Sequence, residues 1–217
     1  MSAQTTLHVN YSIIDPHMHE QKFTHYLGLL PDALQRDVLK YHQREDRIRT
    51  LTGKLLLRES IVQAGLSHSL MDSMSYTNYK RPFISKDVDF NITHSGLCVA
   101  CVAGAGMRVG IDVEEIKPIK PEDIVAVLRD EELQQMRSAD ASPETILRFW
   151  TRKEAIVKAS GEGLYLPPQS IFFIDELTAK TSESTWYLHE LGFGSGFVAF
   201  CVTNLPGCEV VIKKCEW

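Results

Sequence analysis

Two carboxylates, two residues apart on an apolar background, stand out in this chain: Gly110-Ile111-Asp112-Val113-Glu114. On a strand, alternate side chains share a face, so Val109, Ile111 and Val113 turn to the core while Gly110, Asp112 and Glu114 turn away from it. That sets the carboxylates about 7 Å apart, with the glycine leaving room for a ligand; a plain solvated strand face fits the segment equally well. A third acid lies on the helical stretch Phe149-Trp150-Thr151-Arg152-Lys153-Glu154-Ala155-Ile156-Val157-Lys158. Leu147, Trp150, Glu154 and Val157 recur at i, i+3, i+7 and i+10, which puts Glu154 inside an apolar stripe. A lone carboxylate is costly to bury there, and a metal ion shared with Asp112 and Glu114 would relieve it. Three oxygen donors suit Mg²⁺ better than Zn²⁺, and zinc-type His and Cys spacing is absent. Lys158, one turn beyond Glu154, reads either as an i, i+4 surface partner or as a cation placed beside a phosphate.

Further candidates are polar or basic. In Phe90-Asn91-Ile92-Thr93-His94-Ser95-Gly96 an apolar strand ends in clustered polar groups, where His94 is either a structural histidine or, with two hydroxyls and a glycine around it, a phosphate ligand. Arg36, Lys40, Arg44, Arg47, Arg49, Lys80 and Arg81 all fall in the first half and could serve an anionic ligand or simply cover solvated helix faces. His17 and His19, near Asp15 and Glu20, give a weaker transition-metal reading. Cys98 and Cys101 form C-x-x-C inside an apolar run, where residues three apart on a strand face opposite ways, so the pair reads as core packing.

The elements that must position these groups follow from periodicity and stop signals. Helices are expected from about Asp32 to Gln43, from Glu45 to about Ala64 with Gly65 as a stop, and from about Pro143 to Ser160 ahead of Gly161 and Gly163. A polar helical region covers about Pro121 to Ser138. Strands are expected at Phe90 to Ile92, Leu97 to Ala103 and Val109 to Glu114, the last two joined as a hairpin through Gly104 and Gly106. Later strands fall at Ser170 to Ile174, Ser184 to Leu191, Phe197 to Thr203 and Val210 to Lys214. The order of helix then strands thus occurs twice. Arg49-x-x-Thr52-x-Lys54 recurs as Arg148-x-x-Thr151-x-Lys153, and Ser95-Gly96-x-x-x-x-Cys101-Val102 as Ser195-Gly196-x-x-x-x-Cys201-Val202. The expected architecture is α+β: two similar halves forming a pseudo-dimer within one chain, residues 1–107 and 108–217, each a long helix on a small, mostly antiparallel sheet. A ligand site is expected where they meet.

Composition narrows the classes. The 217 residues carry 44% hydrophobic and 24% charged side chains, as soluble globular proteins do. With 23 Lys+Arg against 28 Asp+Glu, the net charge of −5 counts against a nucleic-acid partner, and with it against a Mg²⁺-dependent nuclease. The longest apolar stretch, Leu97 to Met107, falls well short of the roughly 20 residues that span a bilayer. Met1 to Tyr11 lacks the pattern of a signal peptide, and five cysteines scattered among apolar residues suit a reducing compartment. No membrane partner and a cytoplasmic location are therefore expected.

Taken in order and spacing, Asn91-Ile92-Thr93-His94-Ser95, Gly110-Ile111-Asp112-Val113-Glu114 and Trp150-Thr151-x-Lys153-Glu154-Ala155-x-x-Lys158-x-x-Gly161-x-Gly163-Leu164 resemble the 4′-phosphopantetheinyl transferases of the larger, surfactin-synthetase-activating type. The segment Tyr41-x-x-x-x-Asp46-Arg47-x-Arg49-x-Leu51-x-Gly53-x-x-Leu56-Leu57-Arg58 is similar to that family's N-terminal helix. The resemblance implies coenzyme A bound between two similar halves and Mg²⁺-dependent transfer of its 4′-phosphopantetheine arm to a serine of an apo acyl or peptidyl carrier protein, releasing 3′,5′-ADP. By motif it implies Asp112, Glu114 and Glu154 as metal ligands, Glu154 as general base and Lys158 at the pyrophosphate. It further implies Thr93 and His94 on phosphate groups, Arg81 and Pro82 toward the adenine with Lys80 as a further coenzyme A contact, and Thr50 with Arg36 and Arg44 toward the 3′-phosphate. Where that family usually has a glycine before the basic residue and proline, this chain has Lys80, and Thr93 replaces the more usual serine. A monomer is expected, because the repeat supplies within one chain the interface between halves. The alternative function is a non-catalytic coenzyme A or carrier-protein binding module.

Overall fold

In a computed structural model, which describes residues 5–217, the first half begins with a strand, β1 (Thr6–Ile13), followed by two short helices, α1 (Glu20–Leu27) and α2 (Asp32–Leu39), and the long α3 (Arg44–Gln63). A small ribbon of β2 (Ser75–Tyr76) and β3 (Pro82–Phe83) precedes β4 (Val88–Ser95) and β5 (Cys98–Ala105). The second half runs through β6 (Val109–Glu115), α4 (Asp130–Ser138), α5 (Pro143–Ser160), the short β7 (Phe172–Phe173) and β8 (Thr178–Lys180), then β9 (Thr185–Glu190), β10 (Phe197–Thr203) and β11 (Glu209–Lys214).

One sheet has the order β11-β1-β5-β4, the other β6-β10-β9-β8-β7. They pack face to face over a core that includes Leu7, Val9, Cys98, Ala100 and Val102 from the first and Val109, Ile111, Val113, Ala199 and Cys201 from the second. The outer face of the first sheet is covered by α3 through Ile48, Leu51 and Leu55, with Phe90, Val99 and Cys101 beneath. The outer face of the second is covered by α5 through Ala155, Ile156 and Ala159, against Val198, Phe200 and Val202. Four layers result, helix, sheet, sheet, helix, in the α+β class expected. Cys98 and Cys101 fall on opposite faces, as strand geometry requires.

The long helices match their local signals. Ser142 caps α5 by accepting from the Thr145 amide at 3.2 Å, and Gly161 ends it with φ 74° in the left-handed conformation that favours glycine. The expected β5–β6 hairpin is not formed. β5 is already paired on both edges, with β1 and β4, so β6 has no edge to take there and crosses to the second sheet beside β10. The hairpin is β4–β5 instead. β1 lies outside the expected elements, and β11 pairs with it in parallel, Thr6 with Glu209 through Tyr11 with Lys214. No described helix is long and apolar enough to cross a membrane.

The outer edge of β6 faces β4 without a backbone ladder between them. Buried N–H groups need acceptors, and side chains of β4 supply them. The amides of Val109, Ile111 and Glu115 donate to Asp89 Oδ2 at 2.8 Å, Asn91 Oδ1 at 3.1 Å and Ser95 Oγ at 3.1 Å. Gly110 serves another purpose than the one expected of it. The close neighbour is not a ligand but α5: a Cβ there would run into the Ala155 carbonyl oxygen and lie 2.6 Å from the Ala159 amide nitrogen. Gly110→Ala is expected to lower unfolding free energy by about 3 kcal/mol or more, read from urea midpoints. Gly196→Ala, with nothing within 4 Å of the new methyl, should stay within about 0.5 kcal/mol.

Candidate active site

At the centre of the seam Asp112 is almost fully buried. Its Oδ1 accepts from Lys158 Nζ at 2.6 Å and from Thr93 Oγ1 at 3.1 Å, and Lys158 Nζ also donates to Thr93 Oγ1 at 3.1 Å. Two residues on, Glu114 is held by both oxygens: Ser95 Oγ donates to Oε2 at 2.8 Å and the Trp150 indole to Oε1 at 3.0 Å. Glu154 sits half-buried one turn before Lys158 on α5. Burial pushes the Asp112 carboxyl up to about 6, with nearby Glu114 adding to the rise while Lys158 and the Thr93 hydroxyl oppose it. Burial likewise raises Glu154, Lys158 opposing and Glu114 adding. Three acids with one close cation make a site short of positive charge.

Glu154 and Lys158 line a cleft of about 350 Å³ together with Lys80, Arg81, Pro82, Asn91, Val157 and Pro168. Tyr79 and Tyr165, both exposed, meet beside it with ring centroids 5.3 Å apart. A larger cavity, about 760 Å³, lies around Arg148, Arg152, Phe173 and Glu190. It contains the paired Arg148–Glu190 side chains and none of the seam carboxylates.

The remaining residues singled out by sequence divide between the cleft and elsewhere. Arg81 borders the cleft, but its guanidinium turns into the seam. Nη1 pairs with Asp89 Oδ1 at 2.8 Å, and Nη2 donates to Asp89 Oδ2 at 3.0 Å, the Phe90 carbonyl at 3.2 Å and the Val109 carbonyl at 2.7 Å. Lys80 holds φ +61°, a left-handed backbone that explains why a glycine suits this position. Its amide closes a turn onto the Thr77 carbonyl at 2.9 Å. Thr93 and His94, adjacent on β4, face opposite ways: Thr93 is buried in the seam and His94 exposed. Partial burial and the charges of Arg49 and Lys158 hold the His94 imidazole below its ordinary range. Arg44 pairs with Glu20 at 2.6 Å and donates to the Met18 carbonyl, Arg36 is exposed on α2, and Thr50 sits on α3. None of these three lines the cleft.

Thr93 and Ser95 are expected from sequence as clustered polar groups, but Asp89 and the alternating series Asp89, Asn91, Thr93 and Ser95 are not. Its period of two is the signal of a polar strand face, and that face forms the seam. Arg49, one of the basic candidates of the first half, lies near His94; the bond from Trp150 to Glu114 carries no signal in the sequence.

For a divalent cation the donor chemistry fits. Asp112 Oδ2 is buried without a partner among the described residues, and hard carboxylate oxygens are the donors Mg²⁺ prefers. Among the described residues no three acidic, His or Cys side chains converge into a ready-made chelate; Lys158, Ser95 and Trp150 hold the carboxylates in their present places.

Two family models account for most of the chain. Residues 15–106 match the N-terminal region of 4′-phosphopantetheinyl transferase, and residues 108–201 match the 4′-phosphopantetheinyl transferase superfamily. AcpT of Salmonella typhi, a 4′-phosphopantetheinyl transferase, is 30% identical over 140 residues, 62% of this chain and 68% of that protein.

The chain belongs to the 4′-phosphopantetheinyl transferase superfamily.

Other superfamily members align over similar stretches. The transferase gsp of Aneurinibacillus migulanus is 31% identical over 149 residues, 68% of this chain and 62% of its own length. Sfp of Bacillus subtilis is 28% identical over 161 residues, 72% and 71% respectively. The two matched superfamily segments meet at residue 107, where the chain crosses from the first sheet to the second. Relief of the backbone strain at Lys80 is directly measurable: Lys80→Gly is expected to raise unfolding free energy by about 1 kcal/mol, seen as a higher thermal midpoint.

Proposed function

We propose that the seam cleft binds coenzyme A and that the protein transfers its 4′-phosphopantetheine arm to a serine hydroxyl of an apo carrier protein, releasing 3′,5′-ADP. The observation that carries this reading is the junction of Asp112, Thr93 and Lys158 beside Glu114 and Glu154.

Asp112, Glu114 and Glu154 are the residues that would hold Mg²⁺, which when bound supplies positive charge against the pyrophosphate. Lys158 is the protein's own cation at the same point, and Thr93 orients its ammonium. In the transfer, the serine oxygen bonds to the phosphorus that carries the pantetheine arm, and the bond from that phosphorus to the departing 3′,5′-ADP breaks. The serine proton passes to the Glu154 carboxylate. A serine hydroxyl is a weak nucleophile and needs a base within reach; burial raises the proton affinity of Glu154, which suits that role. Trp150 and Ser95 fix Glu114, so little rearrangement is needed as charge develops. His94 and Lys80 are assigned to phosphate groups of coenzyme A, His94 from the exposed face of β4 and Lys80 from the cleft wall. Arg81 is assigned a double part, bordering the adenine with its aliphatic stem while its head holds the seam, and Pro82 lies beside it. Arg36, Arg44 and Thr50, away from the cleft, remain assigned to the 3′-phosphate. The acceptor is a carrier protein, the protein acts as a monomer, and its free, buried cysteines suit the cytoplasm.

The test is to incubate the protein with coenzyme A, Mg²⁺ and several apo carrier proteins and weigh the carriers. A gain of one phosphopantetheine mass is expected; no gain on any carrier overturns the reading. Asp112→Ala and Glu154→Ala should each lower kcat roughly 100-fold or more with the thermal midpoint retained. Lys80→Gly should raise the KM for coenzyme A severalfold, whereas an unchanged KM would remove Lys80 from the phosphate site.

A further inference from the structure

Lys153 immediately precedes Glu154 and is fully buried. Its Nζ donates to Glu132 Oε2 at 2.6 Å and to the Val127 carbonyl at 2.9 Å. Glu132, also buried, stands in the first turn of α4, where the same Oε2 accepts from the Arg129 amide at 2.9 Å and Oε1 lies 3.3 Å from Arg129 Nε. One carboxylate therefore joins the start of α4 to the middle of α5, and Val127 adds the chain just before α4.

As a source of stability this is a poor arrangement. Desolvation offsets most of the attraction in a buried pair, and well-packed apolar side chains of similar volume do as well or better. What the pair supplies is direction, because an ammonium that must reach one carboxylate and one carbonyl fixes the helix about its own axis. A rotation of about 10° moves a side-chain tip by about 1 Å, enough to misplace groups that must meet a phosphate. The duplicated half gives an internal comparison. The repeated motif puts Lys54 in the corresponding place on α3, where it reaches Asp37 of α2 only at 3.5 Å and shares that carboxylate with Lys40 and the Tyr76 hydroxyl. The residue after it is Leu55, a core side chain, where α5 has Glu154. The tight version of the pair occurs on the helix that carries the chemistry.

We infer that Lys153 and Glu132 are a positioning pair that sets the rotation of α5, presenting Trp150, Glu154 and Lys158 to the seam. The kinetic arm of the test rests on the transferase reading; the spectroscopic arm does not. In the full-length ¹⁵N-labelled protein, the Trp150 indole N–H signal, identified by its loss in Trp150→Phe, reports the bond to Glu114. In the paired exchange Lys153→Met with Glu132→Leu, that signal is expected to shift or broaden while that of Trp217, packed against the core under α3, stays in place. The thermal midpoint should equal or exceed the parent's. With coenzyme A, Mg²⁺ and apo carrier, kcat should fall at least tenfold while KM for coenzyme A changes less than threefold. An unmoved Trp150 signal, or a kcat within twofold of the parent, overturns the inference. Should the paired exchange not fold, Glu132→Asp keeps the charge and shortens the reach by one methylene: a shifted Trp150 signal with at least a threefold loss of kcat supports the pair, and parent values of either overturn it. A parent protein that modifies no carrier fails the transferase reading alone, leaving the Trp150 signal to decide the positioning role.

Discussion

The seam between the two sheets depends on how β6 satisfies its outer edge. An edge strand with free N–H groups ordinarily pairs with another backbone. Here β4 comes alongside but answers with side chains, Asp89, Asn91 and Ser95, each reaching an amide of β6. A side chain is longer than a direct backbone bond, so the strands stay apart, and polar groups can occupy the interval. Thr93, in the same alternating series, meets Asp112 instead of an amide. The strand contact and the carboxylate cluster are thus one structure. Arg81 closes the other end of the seam, bridging Asp89 on β4 to the Val109 carbonyl on β6.

The cluster gathers more negative charge than its one close ammonium balances. Asp112 and Glu154 each bear a proton affinity raised by burial, and Glu114 worsens both. Folding sustains this because each acid is held in place: Glu114 and Asp112 each by a hydroxyl of β4 and a donor of α5, Glu154 by its place on α5. On the transferase reading proposed above, a divalent cation would complete the charge pattern that the protein leaves unfinished.

Much of this was legible in the sequence where the signals were local. Pro143 and Gly161 delimit α5 to the residue, and the alternation in Gly110 to Glu114 separates core from seam. The hairpin failed because Gly104 and Gly106 announce a turn but say nothing of β5 having both edges occupied by strands distant in sequence. β1 went unread although Leu7 and Val9 alternate with polar residues, because its partners lie about a hundred and two hundred residues away. Gly110 signalled a close approach, but residue type alone does not name what approaches. Lys80 stood as a departure from a glycine until its backbone angle showed the shared constraint. Arg36 and Arg44 illustrate the limit of charge as a guide, since a basic residue on a helix shows no sign of which groove it serves.

The parallel pairing of β1 with β11 has a consequence for how the molecule is made. The first sheet contains a strand from each extreme of the described chain, and Cys215 and Trp217 pack into the core under α3. Contacts at such sequence separation are slow to form, since the loop that closes them is nearly the whole chain. During synthesis β1 therefore waits with an open edge while the entire second half is made, and the first half completes its sheet only when the last strand emerges. The order of assembly then runs against the order of translation: the half that is made second supplies the final piece of the half that is made first.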